Sequence, residues 1–340
     1  MSDGVGQTDR SQIARLRRLA VKAMTDYDVA EPRIELVAHG ENTTYRVTSS
    51  DDHRYLLRIH RPTRHGRDVD SKAAITSELA WLVALRSDTH LEVPEPVRAK
   101  DGQLTTTVKA DGVAGPRVCS LLRWMTGRNH NHSARPVHLY RLGGVLAQLH
   151  DHADHWRMPD GFVRIQWDHE AYFGNAMVYG NVDASDAWKL LPGNLRDAFV
   201  TVAEKVGDVM RQLGRGENVF GLIHADAHLD NVLFDGRQTR VIDFDDCGFG
   251  YRMYDVAVAL WELRHRDDYP SFKEALLRGY TEHRQLPTEQ MEHLDAFIAA
   301  REVAFGLWLV GMAESRPSFR EQLPAEFGYI ERSLRIVMSR

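Results

Sequence analysis

The stretch HADAHLDN at residues 224–231, followed by VIDFDD at residues 241–246, constrains this chain more than any other part of it. An acid, an amide and a second acid stand in fixed order: Asp226, then Asn231 five positions on, then Asp243 twelve positions further. The shorter step suits a loop that turns over and points both side chains into one cleft from its opposite ends. VLFD and RQTRVIDF then read as two short strands joined at Asp235 and Gly236, a hairpin that carries Asp243 back beside Asn231. Oxygen-bearing side chains gathered in this way suit a hard divalent cation. Without a cation to bind, acids flanking a buried strand would be costly.

The same offsets occur in protein kinases, where HRDxxxxN forms the catalytic loop and DFG supplies a metal-binding aspartate. His224, Asp226, Asn231 and Asp243 fall on those positions. In that pattern Asp226 accepts the proton of an acceptor hydroxyl, and Asn231 and Asp243 hold Mg²⁺ between the phosphates of ATP. A competing reading takes His224, Asp226 and His228 as a zinc or iron site, since two imidazoles and a carboxylate are good ligands. That reading leaves Asn231, the hairpin and the DFD triplet without a use.

At 340 residues the chain is long enough for two lobes, and its charged fraction of 27% is ordinary for a globular protein. A formal charge of −5 with no basic stripe argues against nucleic acid as a partner. The polar start MSDGVGQTDR has no apolar core for a signal peptide. The longest apolar run, residues 303–313, falls short of the ~20 residues of a membrane helix and reads as a buried helix, so no membrane partner is expected. With only Cys119 and Cys247 present, a disulfide framework is not expected and a reducing cytoplasm is the natural compartment.

Apolar residues at helical spacing predict a helix over 11–24. The period then changes to two, and IELVAH, TTYRVTS and RYLLRIH read as three antiparallel strands. Helical periodicity returns over 70–86, and two more strands are expected at 103–109 and 118–124. Residues 1–124 thus form an expected N-terminal nucleotide-binding lobe, 125–137 a linker, and 138–340 a mainly helical lobe for catalysis and acceptor binding. The histidines of NHNHSARPVH and LHDHADHW fit no tight metal signature and are expected on solvated loops and a helix end.

A phosphoryl-transfer site also needs a cation for the phosphates and a carboxylate to hold it. The third strand offers Arg58 and the following helix Glu78, the positions at which protein kinases place Lys and Glu. Arginine keeps the charge and adds a bidentate fork. The turn HGENTTY between the first two strands is the candidate phosphate loop, with Gly40 expected at positive φ and Asn42 and Thr43 near phosphate oxygens.

These motifs in this order resemble the aminoglycoside phosphotransferase and choline kinase family, whose hallmark is HGDxHxxN followed by an IDF or IDW strand. Here Ala225 replaces the usual glycine. GENTTYRV, YLLRIHRP, SELAWL, SLLRWMTG, MPDGFVRIQWD and YDVAVALWEL resemble segments of the branch with stress-response kinases and homoserine-kinase-like proteins. The resemblance implies an α+β, protein-kinase-like bilobal fold: a small antiparallel sheet with one main helix, then a larger helical lobe. It implies ATP and Mg²⁺ as cofactors, Asp226 as base, Asn231 and Asp243 as metal ligands, and Arg58 held by Glu78 on the phosphates. It places adenine against backbone near Leu122 to Trp124 and gives His224 and Asp255 a supporting role. His228, Asp245 and Asp246 stay unassigned. The expected acceptor is a hydroxyl on a small molecule, such as an amino alcohol, sugar or antibiotic, because only DCGFGYRM follows the second motif and leaves little room for a peptide platform. A stress-type Ser/Thr protein kinase and a nucleotide-binding scaffold without turnover are the alternatives. Asp168, Glu170, Glu262 and Asp268 are candidate recognition acids for a cationic acceptor.

Overall fold

The structure, a computed structural model, describes residues 7–62, 70–179 and 182–338. Helix α1 (Gln7–Met24) starts four residues earlier than its apolar spacing predicts and lays Leu16, Leu19, Ala20 and Ala23 on a sheet. That sheet is built from β1 (Arg33–His39), β2 (Thr43–Thr48) and β3 (Arg54–Ile59). It continues, after α2 (Ser71–Asp88), with β4 (Pro96–Val97), β5 (Thr106–Val108) and β6 (Arg117–Arg123). Its order is β1-β2-β3-β6-β4 with β5 also on β6, and every pairing is antiparallel. In β2 the alternation is plain: Thr43, Tyr45 and Val47 are buried and their neighbours partly open. β4 carries no sequence signal, since two residues hold no period.

Helix α2 begins where the Asp70 carboxylate accepts the N–H of Ala73 at 2.7 Å. Its buried Ile75, Leu79, Trp81, Leu82 and Leu85 join the large core formed by the second half of the chain, whereas α1 and β1–β3 share a smaller core of their own. This packing carries Glu78 to the junction of sheet and helices.

The second half is more than helices and one hairpin. After α3 (Pro136–His155) come β7 (Gln166–Trp167), α4 (His169–Phe173), β8 (Val178–Tyr179), β9 (Val182–Asp183), α5 (Ala184–Leu190) and α6 (Gly193–Leu213). β10 (Phe220–Ile223) leads into the 224–231 loop, and β11 (Val232–Asp235) pairs with β12 (Gln238–Val241) in the expected hairpin. The glycine-rich GFGY is itself a strand, β13 (Gly248–Tyr251), paired with β10 and β7. Its glycines admit close neighbours, for a Cβ on Gly250 would lie 2.5 Å from Ile223. Helices α7 (Arg252–Trp261), α8 (Tyr269–Thr281), α9 (Thr288–Met291), α10 (Leu294–Ser315) and α11 (Pro317–Met338) complete the chain.

Two expectations are corrected here. His138, His150 and His152 of the histidine-rich segments are buried rather than solvated, because α3 packs against α8, β10, α7, β12 and α2. The apolar stretch around α10 is longer than the 303–313 run, and the span Thr288–Glu314 is long and apolar enough to cross a bilayer. Here it is a core helix, with 78% of its apolar window buried in the protein.

Candidate active site

The loop after β10 turns sharply at Ala225, whose φ of +67° is left-handed. For an L-residue that conformation costs about 1–2 kcal/mol, which accounts for the glycine usual at this position. The turn is held by Asp255 in the first turn of α7. Its fully buried carboxylate accepts the N–H of His224 at 2.9 Å and of Ala225 at 2.6 Å. The same carboxylate receives His150 Nε2 of α3 at 3.0 Å, and His150 Nδ1 meets the Tyr280 hydroxyl at 2.8 Å. Burial lowers the His150 pKa despite Asp255, so a neutral ring donates to the acid and accepts from the phenol. His224 is also buried and lowered by burial. Its Nδ1 takes the Asp226 N–H at 3.2 Å and its Nε2 meets the Ile242 carbonyl at 3.1 Å, tying the loop to the hairpin. With both ring nitrogens used, the zinc set of His224, Asp226 and His228 is not assembled.

Asp226 receives the Asn231 Nδ2 amide at 2.9 Å on Oδ2, while Arg301 Nη2 of α10 sits 2.6 Å from Oδ1 and His228 Nε2 lies 3.6 Å from Oδ2. Burial alone would raise this carboxyl, but Arg301 and then His228 hold it well below the usual carboxylate range. Arg301 escaped the sequence reading because it lies 75 residues beyond Asp226 in an apolar helix. The usable signal was the pair Arg301-Glu302 inside that helix, since buried charges need partners. Glu302 finds Arg264, Ser333 and Trp261, leaving Arg301 for the cleft.

Asp243 also adopts left-handed φ, +63°, and its carboxylate accepts Arg58 Nη2 at 3.0 Å. Arg58 Nη1 meets Glu78 at 2.8 Å; Arg58 is 4% exposed and Glu78 fully buried. Although 49% of the Asp243 side chain opens into the cleft, it lies on a deep floor, where burial raises its carboxyl to about 6. Arg58 pulls the other way and Asp245 adds to the rise. Asp245 bonds the Asn42 amide at 3.1 Å and lies 3.4 Å from Arg61, while the Asp246 carbonyl accepts Trp167 Nε1 at 2.7 Å.

The turn between β1 and β2 covers this floor differently from the expectation. Gly40 does not use positive φ. Side-chain clasps shape the turn instead: Glu41 pairs with Arg61 and accepts Trp308 Nε1 at 2.7 Å, and Arg316 Nη2 holds the Gly40 carbonyl at 2.6 Å. Thr43 Oγ1 meets His39 Nδ1 at 2.8 Å. Leu122 and Trp124 line the cleft, and the Trp124 N–H donates to the Arg54 carbonyl and that of Arg123 to the Glu95 carbonyl.

One cleft of about 970 Å³ receives Gly40, Asn42, Arg58, Leu122, Trp124, Asp226, His228, Asn231, Asp243, Asp245 and Asp246. Glu78 braces it from behind, and Thr43, His224 and Asp255 stand outside its wall. Of the candidate recognition acids only Glu262 lines it. Asp168 caps α4 and pairs with Arg215, Glu170 accepts the Asn175 N–H, and Asp268 pairs with Arg266 at the surface. The donor set fits a hard cation. The Asn231 amide nitrogen is spent on the carbonyl and carboxylate of Asp226, leaving its oxygen, and the Ile242 N–H bond to Asn231 at 2.9 Å keeps Asp243 beside it.

A sequence model of the phosphotransferase enzyme family matches residues 33–291. The solved structure of a microcompartment-associated aminopropanol kinase is 29% identical and superposes with a TM-score of 0.78 over 95% of this chain and 96% of that one. The amicoumacin kinase hAmiN, solved in complex with AMP-PNP, Ca²⁺ and Ami, is 19% identical with a TM-score of 0.74 over 95% and 96%. A homoserine kinase of Neisseria meningitidis serogroup B is 26% identical over 78% of this chain and 79% of its own. The α+β fold is that of the protein-kinase-like phosphotransferases.

Proposed function

The chain belongs to the phosphotransferase enzyme family and is a kinase, and from that premise we propose that it moves the γ-phosphoryl group of Mg·ATP to a hydroxyl of a small molecule. The reading is supported chiefly by one arrangement, the shared cleft into which Asp226, Asn231 and Asp243 open together. Asp226 takes the hydroxyl proton as the new O–P bond forms and the bond to ADP breaks. Asn231 and Asp243 would hold the metal, which would neutralise phosphate charge. Arg58, fixed by Glu78, orients Asp243 and faces the phosphates. The turn at Gly40 and Asn42 closes over them, and adenine lies against Leu122 and Trp124. Residues 1–124 act as the nucleotide lobe, 125–137 as linker and 138–340 as the acceptor lobe.

The protein-kinase alternative is less well supported. Residues 248–251 are spent in β13 and α7 follows at once, so no extended segment lies between Asp243 and α7 to dock a peptide. The test is ADP release from Mg·ATP across a panel of small alcohols, together with nucleotide binding by Asp243→Ala. The variant is expected to weaken Mg·ATP binding at least tenfold. An affinity untouched by the substitution refutes the metal assignment, and phosphorylation of protein hydroxyls alone refutes the acceptor class.

A further inference from the structure

The turn between β1 and β2 is held from outside its own hairpin at each of its three residues. Asn42 Nδ2 donates to Asp245 at 3.1 Å, on the floor of the cleft. Glu41 Oε1 accepts Trp308 Nε1 of α10 at 2.7 Å, and the Gly40 carbonyl accepts Arg316 Nη2, from just before α11, at 2.6 Å. Glu41 and Trp308 both line the cleft, so their bond spans it from the sheet to the last helices. Trp308 is itself fixed. Its ring stacks on Phe305 at 5.8 Å and meets Phe319 of α11 edge-on at 5.4 Å. Glu41 is braced by Arg61, whose backbone N–H donates to Asn42 Oδ1 at 3.1 Å. Trp308 and Arg316 lie beyond residues 33–291, the span that the family model matches, so the clasp comes from helices outside the part of the chain that carries the shared motifs.

Because Asn42 meets Asp245 directly, no layer is left between the turn and the floor for a triphosphate. Phosphates reach Asp243 under this turn only once it lifts, and lifting it parts the indole from the Glu41 carboxylate and the Arg316 guanidinium from the Gly40 carbonyl. We propose that Trp308 is a positioning residue for the phosphate turn, with Arg316 as the second point of the same clasp, and that the clasp opens to admit the nucleotide and re-forms over it. This rests on the kinase reading above. With nucleotide in place Asn42 exchanges Asp245 for phosphate oxygens, while Glu41 and Gly40 keep their partners on the last helices and hold the turn at a fixed height above the phosphates. Both clasp bonds have one charged partner, a carboxylate that accepts and a guanidinium that donates, and such bonds are about twice as strong as neutral ones. A turn held in this way slows exchange of the nucleotide and keeps water from the phosphates while it is closed.

The experiment follows binding and release of mant-ADP with Mg²⁺ by stopped flow, using the full chain and direct excitation of the mant group. Trp308→Phe keeps a ring between Phe305 and Phe319 and removes the N–H. Since opening precedes both entry and exit, the association and dissociation rates are both expected to rise by about 10-fold or more, the worth of a hydrogen bond to a charged group, with Kd within about threefold of wild type. A residue that merely touched the nucleotide would change dissociation alone. Arg316→Gln cuts the second point without disturbing the aromatic packing; it is expected to move both rates in the same direction and serves where Trp308→Phe does not fold. A rise confined to one of the two rates overturns the proposal, as does a folded variant whose rates match those of wild type. Wild-type protein that binds neither mant-ADP nor mant-ATP overturns the kinase reading along with it.

Discussion

Asp255→Ala removes a carboxylate on which three donors converge in a place with no solvent: the N–H groups of His224 and Ala225 at 2.9 and 2.6 Å, and His150 Nε2 at 3.0 Å. Each orphaned backbone donor costs about 1–3 kcal/mol, so the pair costs roughly 2–6. Relief of the buried carboxylate's desolvation offsets part of this, leaving about 2–4 kcal/mol. For 340 residues at about 2 cal/mol/K each, the entropy of unfolding is roughly 0.7 kcal/mol/K, and the loss corresponds to a fall in Tm of about 3–6 °C. Activity should fall further than stability. The left-handed turn at Ala225 immediately precedes Asp226, and a base displaced by about 1 Å can cost about a hundredfold in rate. Because the His224 N–H and His150 Nε2 share Oδ2 while the Ala225 N–H uses Oδ1, Asp255→Asn keeps an oxygen for the first two but turns an NH₂ toward the Ala225 N–H, so about half of the thermal loss is expected. Thermal unfolding and kcat at a temperature where both variants are folded make the check. A Tm within about 1 °C of wild type with kcat within about twofold would show that the turn does not depend on this carboxylate.

Asp226→Asn should keep nucleotide affinity and lower turnover by roughly 10²–10⁴, as loss of a general base does; unchanged kcat in a coupled ADP assay would move the base elsewhere. Burial opposes the charge of His228, but Asp226 and Glu262 carry its pKa from 6.5 up to about 10. Its stabilising contribution is therefore complete below pH 6.5 and is lost as pH rises toward 10, at no more than about 1.4 kcal/mol per unit. Denaturant unfolding of wild type and His228→Gln across that range tests it, and a wild-type profile as flat as that of the variant refutes it. Gly279→Ala would put a Cβ 1.8 Å from the Tyr140 carbonyl, where α8 meets α3 backbone to backbone, and should cost about 3 kcal/mol. Thermal unfolding reads it, and an unchanged Tm would mean that the two helices can part freely.

Much of the site was legible because its chemistry is local. Asp226 and Asn231 share one loop, a two-stranded hairpin returns Asp243 to them, and strand and helix periodicity placed Arg58 and Glu78 on elements that meet. The conformation of the Gly40 turn was not legible, since Trp308 and Arg316 that clasp it lie more than 260 residues away. Nor was the histidine-rich α3, whose buried His150 works between Asp255, 105 residues on, and Tyr280, 130 residues on.

By itself the order of residues determined which groups could serve a metal, a phosphate and a proton, because spacing within a turn or hairpin limits where side chains point. The tertiary structure alone decided what stands opposite them. Arg301 against Asp226 and Glu262 across the cleft come from helices whose periodicity records only that one face is buried. Which buried charge meets which is set by the packing of α7 and α10, and it is this meeting that gives the acceptor end of the cleft its character.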